Sequence, residues 1–242
     1  MRLDLYLVEN NYFTTRSKAA LAIKEKDVKV NGKIVTKAGF DVSEDDVIEI
    51  NNDINQFVSR GGLKLLKALE FFRIDLTDKI VLDIGASTGG FTDCCLQNGA
   101  KRIYAYDVGH SQLDASLLND KRVLAKENIN CRYLSSNDFN ENIDFICMDV
   151  SFISCAKMFE AISNILSVDK EAVILFKPQF EVGSDYLNRQ GIVINDKIIE
   201  IRLNETIKQA EEFNLKLIDK TVSPIKGKDG NKEYLLYFRK IN

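Results

Sequence analysis

Asp149 and Lys177 have the types and positions needed to move a proton. Asp149 closes the apolar run Phe145-Ile146-Cys147-Met148, and Lys177 closes Val173-Ile174-Leu175-Phe176 just before Pro178. Short apolar runs of this kind read as buried strands, and parallel strands deliver their C-terminal ends to one rim of a sheet. A carboxylate and an ammonium then converge there, and a lysine in so apolar a setting needs a partner. The plain alternative is a structural ion pair. A second constellation is Val81-Leu82-Asp83-Ile84-Gly85-Ala86-Ser87-Thr88-Gly89-Gly90-Phe91-Thr92, a strand entering a glycine-rich turn and then a helix. The glycines allow positive φ and close approach of a ligand, and the helix start offers free N–H groups. No Gly-Lys-Ser/Thr follows and GxGxxG is absent, so the turn is neither a P-loop nor a clean dinucleotide fingerprint. Asp107 ends the next strand, 22 residues after Gly85, where doubly wound sheets place an acid that bonds ribose hydroxyls.

These residues need a sheet to hold them, and the hydrophobic pattern supplies one. Strands are expected at 80–84, 102–107, 122–126, 144–149, 171–176, 216–222 and 233–239, with helical patterns near 89–98, 111–118, 155–166 and 195–213. Such alternation predicts an α/β architecture with a mostly parallel, seven-stranded sheet covered on both faces. Ahead of it, Leu3, Tyr6, Leu7 and Asn10 recur at helical spacing, and Thr14 or Thr15 is positioned to cap a second helix running to about Glu25. Val28-Lys29-Val30 and Lys33-Ile34-Val35 flank Asn31-Gly32, a strong hairpin signal, and 46–50 reads as a further strand. Residues 51–59 are polar and read as a linker, giving an expected division into a small α+β domain, 1–57, and a large domain, 58–242.

Composition narrows the function classes. Of 242 residues, 45% are apolar and 29% charged, which fits a folded globular protein and excludes disordered and fibrous classes. The longest apolar runs are about four residues, against roughly 18 for a membrane span, and Asp4 and Glu9 interrupt any signal-peptide core. A cytoplasmic protein is expected. The five cysteines, 94, 95, 131, 147 and 155, are odd in number and lie in apolar contexts, so they read as reduced core thiols with no metal site. His110, the only histidine, leaves little material for a triad and reads as a loop residue near the ligand. The net charge of −3 hides an uneven distribution: residues 1–37 carry eight Lys/Arg against four Asp/Glu, and residues 38–57 carry six acids and no Lys or Arg.

Three local resemblances follow. Arg2-Leu3-Asp4, Thr15-Arg16-Ser17-Lys18-Ala19 and Val28-Lys29-Val30-Asn31-Gly32 resemble the S4 RNA-binding domain over nearly all of residues 1–50, with Lys26 where that family usually has Gly. The resemblance implies RNA contacts from Arg2, Arg16, Lys18 and Lys24, with Arg60 beside them. The glycine turn with Asp107 resembles the Rossmann-like class I S-adenosylmethionine-dependent methyltransferases. That implies S-adenosyl-L-methionine as cofactor, held by Gly85, Ala86, Ser87, Thr88, Gly89, Gly90 and Phe91 at its methionine end. Asp107 and Val108 would then meet the ribose and Glu127 the adenine region, with Asp149 beside the methyl group and Asp83 ordering the loop. Lys64, Asp149, Lys177 and Glu233, in that order, are similar to the Lys-Asp-Lys-Glu tetrad of FtsJ-type 2′-O-ribose RNA methyltransferases. Transfer to a ribose hydroxyl must remove a poorly acidic proton, which an amine tuned by desolvation and a neighbouring ammonium can take. By that resemblance Lys177 is the base, Lys64 and Asp149 position the hydroxyl, and Glu233 supports the lysines.

The whole chain resembles the hemolysin A (TlyA-like) family, which joins an S4 domain to an FtsJ-like methyltransferase domain. The matching stretches are Ser59-Arg60-Gly61-Gly62-Leu63-Lys64-Leu65, Asp83 to Asp93, Asp107-Val108-Gly109, Gln112-Leu113, Glu127-x-x-Asn130-x-Arg132, Asp149-Val150-Ser151-Phe152-Ile153-Ser154 and Lys177-Pro178-Gln179-Phe180-Glu181. Departures fall at His110-Ser111 and Asp114-Ala115, in the loop expected over the adenosine. The resemblance implies methylation of cytidine riboses in ribosomal RNA, with ribosomal subunits as partners and no membrane or metal. Three alternatives remain: an assembly factor that binds cofactor without turnover, a lytic protein, and a small-molecule O-methyltransferase. The lytic reading lacks a signal, a membrane span and a strongly amphipathic basic helix. The small-molecule reading conflicts with the RNA-type N-terminal domain and the absence of an obvious lid. The polar stretch Asp185 to Gly191 reads equally as a segment closing over RNA or as a surface loop.

Overall fold

The computed structural model describes residues 1–13, 15–24, 26–50, 56–110, 112–227 and 229–242. The chain divides into two compact units, Met1–Arg60 and Gly61–Asn242, each with its own apolar core.

The first unit opens with α1 (Leu3–Glu9) and α2 (Arg16–Lys24), followed by β1 (Val28–Val30), β2 (Lys33–Ile34) and β3 (Ile48–Ile50). Leu3 and Leu7 of α1, Ala19, Ala22 and Ile23 of α2, and Val28 and Val30 of β1 bury one face each into a common core. Thr15 caps α2, its Oγ1 accepting the Lys18 N–H at 3.2 Å. Thr14, Glu25 and the linker residues 51–55, named above from the sequence, lie outside the described residues. Asn31 and Gly32 both have positive φ, 51° and 75°, the backbone that a two-residue turn between twisted strands requires. β1 pairs antiparallel with β2 on one side and β3 on the other. β3 is shorter than the expected 46–50. Asp46 instead turns its carboxylate onto the Ser43 N–H at 2.8 Å and the Asn31 amide at 2.7 Å, which closes the preceding turn.

The second unit begins with α3 (Gly61–Phe72) and continues through β4 (Ile80–Ile84), α4 (Gly90–Gln97), β5 (Arg102–Tyr106), α5 (Ala115–Leu118), β6 (Val123–Lys126) and β7 (Phe145–Met148). It ends with α6 (Phe159–Ile165), β8 (Glu171–Phe176), α7 (Asp196–Glu212), β9 (Leu215–Val222) and β10 (Tyr234–Lys240). The seven strands form one sheet in the order β6-β5-β4-β7-β8-β10-β9. The first five are parallel, and β10 runs antiparallel to both its neighbours. This is the mostly parallel seven-stranded sheet that the alternating pattern predicts.

Alternate residues of the central strands, Leu82 and Ile84, Ile146 and Met148, Ile174 and Phe176, join one core cluster with Phe159 and Ile162 of α6 and Ile199 and Leu203 of α7. That is the period of two expected of a pleated strand packed under helices. The chain moves outward from β4 through β5 to β6 and then returns to β7 on the other side of β4. Strand order therefore reverses beside β4, and the crevice above the C-terminal strand ends opens there.

Two helices are shorter than expected. Of the described residues in 111–118, only Ala115–Leu118 are helical, because Asp114 caps at that point, accepting the Ser116 N–H at 2.9 Å, and the Gln112 N–H is taken by Glu127 at 3.2 Å. Of 155–166 only Phe159–Ile165 is α-helical. The turn Cys155–Met158 before it is a 3-10 helix started by Ser154 and tied down by the Glu181 carboxylate, which accepts the Cys155 N–H at 2.8 Å. All five cysteines are buried with free thiols. Among the described residues, no helix is long and apolar enough to cross a membrane, and no group of acids, cysteines or histidine is assembled to hold a metal ion.

Candidate active site

The four residues Lys64, Asp149, Lys177 and Glu233 meet at the C-terminal rim of the sheet. Lys64 reaches in from the first turn of α3, Asp149 lies one residue past β7, Lys177 one past β8, and Glu233 one before β10. Antiparallel pairing of Tyr234 with Phe176 sets Glu233 and Lys177 one step beyond the same end of the β8–β10 ladder. Glu233 Oε2 is 2.7 Å from Lys64 Nζ, which is 3.8 Å from Asp149 Oδ2, and Asp149 Oδ1 is 2.5 Å from Lys177 Nζ. The result is a line of alternating charge: acid, lysine, acid, lysine. Lys177 Nζ also donates to Ser151 Oγ at 2.8 Å.

Lys64, Lys177 and Glu233 are all buried, and single buried charges of this kind persist only when paired. Burial alone would raise the Asp149 carboxyl, but Lys64 and Lys177 outweigh it and hold it below the usual carboxylate range. Asp149 is thus an anion that organises two cations.

The glycine turn lies directly beside this line. Gly85 has φ +81°, and a Cβ there would stand 2.5 Å from the Asp149 carbonyl oxygen. The turn and the acid are therefore in backbone contact that only glycine permits. A cavity of about 480 Å³ opens from this point, lined by Gly85, Ser87, Asp107, Gln112, Arg132 and Asp149 among others. Its size is that of a cofactor site.

Asp107 already accepts the Ser87 N–H at 2.8 Å and the Gly109 N–H at 2.6 Å. A carboxylate has about four acceptor positions, so two remain for a ribose diol. The glycine cradle, the cavity volume and the unfilled acceptor capacity of Asp107 fit S-adenosylmethionine. Asp83, fully buried under the turn, accepts the Thr92 hydroxyl at 2.6 Å. Burial raises its carboxyl to about 7, against the lowering bond from Thr92 and with the charge of Asp149 adding to the rise.

Not every residue expected around the cofactor lines the cavity. Gly85, Ser87, Asp107, Val108 and Asp149 do. Ala86 and Phe91 are buried, and Gly89 is covered by Leu113 and Leu117. Thr88, Gly90 and Glu127 also fall outside the lining. Glu127 accepts the Gln112 N–H and faces His110 Nδ1 at 3.1 Å, so it holds the loop after Asp107 against the third strand end. Ser111 in that loop lies outside the described residues.

Ser151, Phe152, Arg132 and Met158 line the cavity without having been singled out as site residues. Ser151 and Phe152 follow Asp149 by two and three positions, but the bend that aims them is a left-handed φ of 64° at Phe152, which spacing does not reveal. Phe152 is 91% exposed, and its ring lies 5.2 Å from that of Phe180. Lys177 Nζ is 5.9 Å from the Phe180 ring centre. Phe152 is thus a bulky residue held in a left-handed, strained conformation with its ring in solvent.

In the first unit, the buried Asp4 accepts Arg2 Nε and Nη2, each at 3.0 Å, and Arg16 Nε at 2.8 Å. Both guanidiniums are thereby oriented while retaining outward N–H groups. Lys18 and Lys24 lie on α2. Arg60 ends the first unit. The Asp185 to Gly191 stretch is a closed turn: Asn188 Oδ1 accepts the N–H groups of Gln190 and Ile192, each at 2.9 Å, and Leu187 bridges to Val193.

The model of the FtsJ-like methyltransferase family matches residues 57–240, and that of the S4 domain matches residues 1–48. Hemolysin A of Brachyspira hyodysenteriae is 44% identical to this chain over 98% of its length and 99% of that protein. The 16S/23S rRNA (cytidine-2′-O)-methyltransferase TlyA of Mycobacterium tuberculosis is 36% identical over 98% of this chain and 89% of that protein. The solved structure of a candidate hemolysin from Streptococcus thermophilus matches with a TM-score of 0.80 at 38% identity, covering 100% of this chain and 89% of that one.

Proposed function

From the premise that the chain belongs to the FtsJ-like methyltransferase family and carries an S4 domain, we propose that it is an S-adenosylmethionine-dependent 2′-O-methyltransferase of cytidine in ribosomal RNA. The observation that carries this reading is the line Glu233–Lys64–Asp149–Lys177 opening onto the glycine-turn cavity. When bound, S-adenosylmethionine supplies an electrophilic methyl group on a sulfonium.

The chain's own part is to hold the ribose and move its proton. As general base, Lys177 takes the proton of the 2′-hydroxyl as that oxygen attacks the methyl carbon, and the resulting ammonium is the form that pairs with Asp149. Asp149 and Ser151 fix the direction of the Lys177 amine, and Lys64, itself held by Glu233, balances the charge on Asp149. Gly85, in contact with the Asp149 backbone, sets the register between the cofactor and the base. The exposed Phe152, its ring against the half-buried Phe180 beside Lys177, supports an RNA substrate over a small molecule, since aromatic faces stack unpaired bases. The oriented Arg2 and Arg16, with Lys18 and Lys24, support phosphate contacts from the S4 domain. A cytoplasmic setting, where ribosomal subunits are found, goes with this reading.

The test is transfer of isotope-labelled methyl from S-adenosylmethionine to 30S or 50S subunits isolated from a strain lacking the protein. Labelled riboses are mapped by nuclease digestion and mass spectrometry. Label on a cytidine 2′-oxygen that disappears with Lys177→Ala is the expected result. No label on either subunit, with cofactor binding intact, refutes the proposal and favours an RNA-binding assembly factor.

A further inference from the structure

We propose that Gly227 is a positioning residue of this site, a role that rests on the tetrad reading above: the room left by its missing side chain seats the Glu233 carboxylate against Lys64. Gly227 lies in the connection between β9 and β10. That connection is closed by the Ser223 N–H on the Glu233 carbonyl at 2.9 Å, the Gly227 N–H on the Asn231 carbonyl at 2.8 Å and the Gly230 N–H on the Gly227 carbonyl at 2.9 Å. A Cβ on Gly227 would stand 3.1 Å from Glu233 Cδ and closer still to Oε1. The other carboxylate oxygen is 2.7 Å from Lys64 Nζ, and the Glu233 side chain is 2% exposed. The carboxylate is thus held between the Gly227 backbone on one side and the ammonium on the other, with no open space to swing into.

The backbone behind Gly227 is itself fixed. Asn231 is 1% exposed, its Oδ1 accepts the Val193 N–H at 2.9 Å, and its Nδ2 donates to the Gly191 carbonyl at 2.9 Å. The loop is therefore fastened to the 188–193 turn and cannot recede without breaking those bonds. Gly227 is not among the positive-φ glycines, so alanine suits its backbone and the added methyl acts through Glu233 alone. Displacing Glu233 loosens Lys64, and Lys64 is the second cation on Asp149, which holds Lys177. The sequence places glycine at this point for space, not for conformational freedom.

The test is a double-mutant cycle in the full-length protein, with labelled S-adenosylmethionine and ribosomal subunits in single-turnover assays. Gly227→Ala is expected to lower the rate of transfer about tenfold or more with cofactor affinity near wild type, and to lower the melting temperature as well, since the crowded carboxylate is buried. In the Glu233→Asp background, where the shorter side chain draws the carboxylate away from residue 227, the same substitution is expected to cost at least fivefold less. An equal loss in both backgrounds, or no loss in either, overturns the positioning role. Glu233→Ala is the separate control: wild-type transfer by that variant refutes the tetrad reading itself, whatever Gly227 does. Should Gly227→Ala fail to fold, Asn231→Ala releases the same loop, and a rate loss that does not shrink in the Glu233→Asp background overturns the proposal.

Discussion

Lys177 has two partners of unequal kind, and their removal has unequal consequences. Asp149 is a charge partner at 2.5 Å, whereas Ser151 accepts one hydrogen bond at 2.8 Å. A single hydrogen bond contributes about 0.5–1.5 kcal/mol, which corresponds to roughly two- to tenfold in rate. Ser151→Ala is therefore expected to slow single-turnover transfer by about that factor with the tetrad still working, and a loss as large as that of Lys177→Ala would show that Ser151 does more than aim the amine. Asp83 yields a prediction about stability. Its carboxyl is raised by burial to about 7 in the folded protein, against about 3.9 unfolded. Between those values the native state holds the extra proton, so the contribution of Asp83 to stability falls as pH rises from about 4 to 7, by at most about 1.4 kcal/mol per pH unit, and is flat above. Asp83→Asn keeps an acceptor for Thr92 and removes the titration, so the variant is expected to gain on wild type in urea midpoint as pH rises through that window. Parallel curves would refute it. Asp149 and Lys177 were legible in the sequence because each ends an apolar strand. Ser151 and Gly227 were not, since one depends on a left-handed bend and the other on a residue left small for a neighbour distant along its own loop.

Among the elements, the β4–α4 turn joins the cavity proposed for the cofactor to Asp149. Its glycines and the strand before it are visible as a pattern, but the reason for Gly85 is tertiary: a backbone carbonyl of another strand end occupies the position of a Cβ. Gly85→Ala combines strain at φ +81° with that contact, and neither the turn nor the Asp149 backbone is a flexible side chain that can yield. The expected outcome is a loss of roughly 1–3 kcal/mol of stability from backbone strain together with weaker cofactor binding, read as a lower melting temperature and a raised cofactor Kd. Unchanged cofactor affinity would mean that the turn does not face the cofactor. The elements that the pattern overextended have a common cause. The 111–118 segment has helical spacing, yet Asp114 and Glu127 offer its backbone N–H groups competing acceptors, and the same competition by Ser154 and Glu181 tightens 155–158 into a 3-10 turn. Side chains that bond nearby backbone override apolar periodicity, and an acceptor such as Glu181, 26 residues away from Cys155, has no local signature.

At the scale of the whole molecule the net charge of −3 opposes binding to a polyanion, and only its distribution makes an RNA enzyme reasonable. The cations proposed to meet RNA lie in the first unit, where the hydrogen bond from Arg2 holds the Asp4 carboxyl well below its usual range, against burial and with help from Arg16. Asp4 therefore stays ionised at any working pH, and Arg2 and Arg16 keep their orientation. Because each unit has a separate apolar core, RNA binding and cofactor binding are expected to be separable. Replacing Arg16, Lys18 and Lys24 together by alanine strips up to three cations from the RNA phosphates and leaves the apolar residues of both cores in place, with Arg2 remaining as the partner of the buried Asp4. For duplex RNA, each phosphate left without its cation is expected to flatten the slope of log K against log salt by about 0.9, the value for B-form DNA, so affinity for ribosomal subunits should fall most at low salt and converge with wild type as salt rises. Cofactor affinity should be unchanged. If the slope stays at the wild-type value while affinity falls, the three residues support the fold of the first unit and do not touch phosphate, and the cations that neutralise the RNA backbone must then come from the methyltransferase unit.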